Sequence, residues 1–155
     1  MFCKGNTACP DELNPALTAA DPASDTRGMS RRTPLILVVE DESAIRQPLE
    51  QFLRMRDYAV VCADNVEDAL DLLRQQKPDA AIVDLCLKEG SGRDVIVKIP
   101  ASVPVIIFSG MRSESSQLER LRPRTRIVEK PYSLTMLLEQ LEEMLDQSEN
   151  VLAKG

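Results

Sequence analysis

Four short apolar runs in this chain each end on a group that can do chemistry. Leu35-Ile36-Leu37-Val38-Val39 ends on Glu40-Asp41-Glu42, and Ala80-Ala81-Ile82-Val83 ends on Asp84. Val105-Ile106-Ile107-Phe108 leads into Ser109-Gly110, and Arg126-Ile127-Val128-Glu129 into Lys130-Pro131. Acid, acid, hydroxyl and ammonium together are the inventory of a metal-assisted phosphoryl site. Carboxylates brought together raise one another's pKa. A hard divalent cation such as Mg²⁺, which takes oxygen ligands and keeps several waters, relieves that repulsion. A carboxylate can attack phosphorus to give an acyl phosphate, with positive charge neutralising the transferring group.

The elements that must hold these groups follow from the pattern. Val- and Ile-rich runs of this length read as buried strands, here 35–39, 59–63, 80–85, 104–108 and 126–129. Helices are expected at 43–56 with Ser43 as N-cap, at 66–76 capped by Asn65, at 92–98, at 113–121, and from Leu134 onward. The last carries a clear stripe of Leu134, Leu137, Leu138, Leu141, Met144 and Leu145. Pro48 falls inside the first helix and should remove one backbone hydrogen bond. Gly90-Ser91-Gly92 marks a loop, and the third helix is short. Five strands alternating with five helices imply a parallel sheet covered on both faces. Ligands of such sheets bind outside the carboxyl ends of the strands, where the four groups stand.

Composition narrows the function classes. The 155 residues are 43% hydrophobic with a formal net charge of −6, which disfavours a nucleic-acid binder needing a basic face. No apolar run approaches the length of a membrane span, and the N-terminus lacks a secretory core, so a cytoplasmic protein is expected. Residues 1–32, broken by Pro10, Pro15 and Pro22, read as a disordered tail, with Met29 an alternative start. Residues 33–147 form the domain and 148–155 a C-terminal tail. Cys3, Cys9, Cys62 and Cys86 make no C-x-x-C pair and are expected as reduced thiols. Histidine is absent. No histidine base or ligand can operate, and any phosphohistidine that donates to this chain belongs to another polypeptide.

The stretches Ile36-Leu37-Val38-Val39-Glu40-Asp41-Glu42, Ile82-Val83-Asp84-Leu85, Ile107-Phe108-Ser109-Gly110 and Lys130-Pro131-Tyr132, in this order, resemble the receiver domain of two-component response regulators over roughly residues 34 to 147. The resemblance implies a flavodoxin-like doubly wound (βα)5 fold with strand order 2-1-3-4-5. It implies Asp84 as phosphoacceptor, Ser109 as a hydrogen-bond donor to the phosphoryl group and switch residue, and Lys130 as its charge contact. It implies Mg²⁺ held by Glu40 (through water), Asp41, Asp84 and the backbone carbonyl of Cys86. It also implies a cis Lys130–Pro131 bond and a histidine kinase or histidine phosphotransfer protein as donor. Output would pass to an effector protein or a homodimer through the fourth helix, fifth strand and fifth helix. After Met144 about ten residues remain, too few for a helix-turn-helix unit.

Two other readings stand beside it. A Mg²⁺-dependent aspartate-nucleophile phosphatase or phosphotransferase would need a second carboxylate two residues after Asp84, where Cys86 stands. An inert interaction domain would not need the acids, hydroxyl and ammonium all present. A dinucleotide or P-loop site is disfavoured, because no glycine-rich fingerprint follows the first strand. The chain also departs from the family pattern. Lys88 occupies a position where proline is common, the third helix is short, and Ile127 replaces an aromatic residue that swings with the hydroxyl. Tyr132 is at a different position and does not take that role. Cys86 and Met111 stand where residues that place a hydrolytic water are expected, and neither is a strong hydrogen-bonding group. A long-lived phosphoryl group follows.

Overall fold

A computed structural model describes residues 32–110 and 112–154. The expectations of a disordered tail and of an alternative start at Met29, together with the role of Met111, lie outside the described residues. The elements alternate from the first to the last: β1 (Leu35–Val39), α1 (Ser43–Arg54), β2 (Ala59–Ala63), α2 (Val66–Gln75), β3 (Ala80–Asp84), α3 (Gly92–Ile96), β4 (Val105–Ser109), α4 (Arg112–Leu121), β5 (Thr125–Glu129) and α5 (Leu134–Lys154). All five strands pair in parallel in the order β2-β1-β3-β4-β5, the flavodoxin-like arrangement expected. Among the described residues no helix is long and apolar enough to cross a membrane.

Strand alternation divides the core into two layers. Leu37, Val39, Ala81, Val83, Val105 and Ile107 face Ala69, Val95, Ile96 and Leu118 of α2, α3 and α4. Ile36, Val38, Ile82, Ile106, Phe108 and Val128 face Leu49 and Leu53 of α1 and Leu137, Leu141 and Met144 of α5. Because both faces are covered, the central strands read as unbroken apolar runs rather than alternating ones.

Local chemistry sets three helix ends, two of them away from where the pattern puts them. The N-cap of α1 is Glu42 and not Ser43, and no side chain caps it. The hydroxyl of Ser43 is already inside the first turn, past the position from which a cap can reach back. Asn65 caps α2 as expected, its Oδ1 accepting from the Asp68 N–H at 2.8 Å. Helix α5 continues to Lys154 instead of yielding to a tail at 148, since Gln147 to Lys154 contains no glycine or proline to stop it.

Helix α3 has five residues, GRDVI, shorter than the 92–98 expected. The chain then turns through Pro100 to β4, where the Ile96 and Pro100 carbonyls accept the N–H groups of Ile99 and Val103 and a cluster of carbonyls faces inward. One side chain gathers them. Arg122, only 8% exposed, donates from Nη1 to the carbonyls of Ile99 at 2.8 Å and Ile96 at 3.5 Å. Its Nη2 donates to the Val103 carbonyl at 2.6 Å and to that of Pro100. Arg124 continues the seam, from Nη1 to the Ser102 carbonyl at 2.9 Å and from Nη2 to the Met144 carbonyl at 3.2 Å. Burial holds the Arg122 pKa below its ordinary value, and carbonyl dipoles surround the charge.

Arg122→Met keeps the apolar stem but no donor. It should lower the free energy of unfolding by about 3 kcal/mol, the cost of stranding several buried acceptors, while Arg122→Lys recovers part of it. Urea denaturation checks this, and an unchanged midpoint in Arg122→Met contradicts it.

Candidate functional site

The sheet register assembles the site. Val39 is level with Val83, so Glu40 leaves β1 beside Asp84 at the end of β3. Asp84 is level with Phe108 and Ser109 with Glu129, so Lys130 leaves β5 one step further along. Alternation adds a second constraint. Glu40 continues the row Ile36, Val38; Asp84 continues Ala80, Ile82; Lys130 follows Val128. All three therefore fall on the α1/α5 side of the sheet.

Two of the three carboxylates are almost wholly sequestered, Glu40 at 0% and Asp84 at 2% exposed. Carboxylate oxygens of Glu40, Asp41 and Asp84 lie within 4.8 Å of one another. Lys130 Nζ donates to Asp84 Oδ2 at 2.8 Å and lies 3.5 Å from Glu40 Oε2. The other oxygen of Asp84, Oδ1, accepts the Cys86 N–H at 2.9 Å. Glu40 Oε1 accepts the Glu42 N–H at 3.1 Å, and the Glu40 carbonyl accepts from Arg46 Nη1 at 2.7 Å.

One ammonium against three carboxylates leaves the cluster short of positive charge, and the titration behaviour follows. Burial, aided by the charge of Asp84, pushes the Glu40 carboxyl up to about 7. Burial also acts upward on Asp41, but the Lys88 N–H and the neighbouring Glu40 outweigh it and leave Asp41 below its usual value. Burial alone would lower Lys130; its hydrogen bond and charge contact with Asp84 reverse that and hold it above its ordinary value. Hard oxygen donors at this separation, with uncompensated negative charge, fit a divalent cation of the Mg²⁺ kind.

The loop after β3 shapes the same site. Cys86 and Ser91 form an antiparallel bridge, and the Gly92 N–H returns to the Leu85 carbonyl at 3.2 Å. A Cβ on Gly92 would stand 2.0 Å from the Asp84 carbonyl oxygen, so only glycine lets the loop close on the strand exit. Lys88 donates its N–H to Asp41 Oδ2 at 2.9 Å. On the far side, Tyr132 stacks on Phe108 with ring centroids 4.3 Å apart, and burial pushes its hydroxyl up to about 12.

Glu40, Asp41, Asp84 and Lys130 are thus brought together as expected, and the Lys130–Pro131 bond is cis. Ser109 is 2% exposed at the end of β4, level with Glu129. Its carbonyl accepts the Lys130 N–H at 3.3 Å. Cys86 contributes its N–H to Asp84. Sequence reasoning missed Arg46, Lys88 and the close approach of Gly92. The Gly90-x-Gly92 spacing was the one available signal, since backbone amides and carbonyls leave no mark on residue type.

A sequence model of the response regulator receiver domain matches residues 36–142. The response regulator MprA of Mycolicibacterium vanbaalenii is 28% identical over 114 residues, which cover 71% of this chain and 49% of that protein. A probable transcriptional regulator, ycf27, of Guillardia theta is 34% identical over 88 residues, covering 56% of this chain and 35% of that protein. The chain therefore spans about half or less of the length of these relatives. A receiver domain protein (CheY-like) from Methanospirillum hungatei superposes with a TM-score of 0.70 at 24% identity, covering 77% of this chain and 98% of that one. The signal receiver domain of an HD domain-containing protein from Pseudomonas fluorescens gives 0.72 at 23%, covering 83% and 98%. At these identities the two structures speak for the fold.

Glu40 sets the sign of a pH effect. Its folded pKa of about 7 lies above the ordinary 4.5, so the folded state holds the proton more tightly. The stability this contributes is complete below pH 4.5 and is lost as pH rises through about 7. The shift of Asp41 acts at lower pH and that of Lys130 at higher pH. In EDTA, denaturation midpoints of the wild type should therefore fall between pH 5 and 7.5 relative to those of Glu40→Gln. A Glu40→Gln profile parallel to that of the wild type contradicts this assignment.

Proposed function

This chain belongs to the response regulator receiver family, and we propose that it accepts a phosphoryl group on Asp84 from a histidine of a partner protein. The observation that carries the reading is the 2.8 Å contact of Lys130 Nζ with Asp84 inside a buried cluster of three carboxylates. Asp84 is the nucleophile. As its oxygen bonds to phosphorus, the donor's phosphorus–nitrogen bond breaks, and the leaving imidazole keeps the electron pair and takes up a proton. The donor is a histidine kinase or histidine phosphotransfer protein, since this chain has no histidine.

Asp41 and Asp84, with Glu40 through water and the Cys86 carbonyl, would hold Mg²⁺, which when bound supplies positive charge to the phosphoryl oxygens. The Cys86 N–H steadies Asp84 Oδ1. Lys130, paired with Asp84 at rest, shifts its ammonium to a phosphoryl oxygen, and the Ser109 hydroxyl donates to another. The acceptor is consumed in each transfer, so the reaction is stoichiometric and not a turnover. We assign the activity to a receiver unit that runs from residue 33 through α5 and acts in the cytoplasm. Its output passes by contact to an effector or a second copy through α4, β5 and α5, a face that exposes Leu121 and Met136.

Intact-mass measurement after incubation with acetyl phosphate and Mg²⁺ tests this. One phosphoryl group per wild-type chain is expected, none in Asp84→Asn, and a rate about a hundredfold lower in Lys130→Ala. No added mass in the wild type, or donor turnover without accumulation, contradicts the reading. With Cys86 and Met111 in the positions that would otherwise place water, the label should persist for minutes or longer after the donor is removed. Its loss within seconds contradicts that part.

A further inference from the structure

We propose that the segment Cys86-Leu87-Lys88 is a backbone template that fixes the spacing of Asp84 and Asp41, and that Lys88 is a positioning residue acting through its N–H. The Cys86 N–H holds Asp84 Oδ1 at 2.9 Å and the Lys88 N–H holds Asp41 Oδ2 at 2.9 Å. One short segment thereby grips both carboxylates. The Lys88 bond spans 47 positions in sequence and joins the exits of β1 and β3 above the sheet.

Three features make this segment rigid enough to act as a template. Leu87 lies between the two amides and is buried at 9% exposure. The Cys86–Ser91 bridge and the Gly92-to-Leu85 hydrogen bond fold the loop back on itself. Gly92 presses against the Asp84 backbone where no Cβ fits. The side chain of Lys88 is exposed and acts on Asp41 only as a smaller charge influence; the N–H of residue 88 makes the hydrogen bond that ties the loop to Asp41. A proline at residue 88 would have no N–H and would leave Asp41 without this partner. Partners behind a ligating carboxylate typically set metal affinity by one to two orders of magnitude.

The inference rests on the reading that Asp41 ligates the cation, and two measurements separate the two claims. Calorimetric Mg²⁺ titration compares wild type, Lys88→Ala and Lys88→Pro. Lys88→Ala keeps the N–H and should bind within about twofold of wild type, whereas Lys88→Pro should bind about tenfold more weakly. Amide exchange on metal-free, isotope-labelled protein supplies the second readout. The Lys88 amide should be protected in the wild type, with that protection lost in Asp41→Ala. Equal Mg²⁺ affinity in Lys88→Pro and Lys88→Ala overturns the template alone. So does a Lys88 amide that exchanges equally fast in wild type and Asp41→Ala, a result independent of whether the proline variant folds. A wild type that takes up no Mg²⁺ overturns the cation reading of Asp41 and this proposal with it.

Discussion

Three carboxylates gathered at the strand exits, two of them in contact with the Lys130 ammonium, are the constraint on which this structure turns. Like charges at this distance disfavour joint ionisation, and burial adds the cost of taking them from water. The fold supplies a lysine from β5, two amides from the loop after β3, one amide from Glu42 and an arginine on the Glu40 carbonyl. These contacts hold the geometry without cancelling the charge, as the upward displacement of Glu40 to about 7 records. A site of this kind is a local cost that the apolar layers on both faces of the sheet offset, and such costs collect where function needs them.

Much of the architecture was legible because each strand is a Val- and Ile-rich run ended by a polar group. Parallel strands buried on both faces leave this signature. The stripe on α5 and the cap at Asn65 were equally direct. Strand order was not legible from periodicity and came from the family resemblance.

What stayed hidden is chiefly backbone chemistry. The N–H groups of Cys86 and Lys88 do their work irrespective of side chain, so residue type announces neither. Arg122 reads in sequence as one of several arginines near β5, and only the fold shows it collecting carbonyls of the turn between α3 and β4. The stacking of Tyr132 on Phe108 ties the segment after Lys130 to the strand that ends in Ser109.

The claim beneath all of this is that the acid cluster lacks positive charge which a divalent cation supplies. The most direct measurement is the thermal unfolding midpoint at pH 8, where the carboxylates are charged, with and without Mg²⁺ at matched ionic strength. A midpoint that rises with Mg²⁺, saturates, and does not rise in Asp41→Asn is the predicted result, since a ligand that binds only the folded state stabilises it. A wild-type midpoint indifferent to Mg²⁺ would contradict the account.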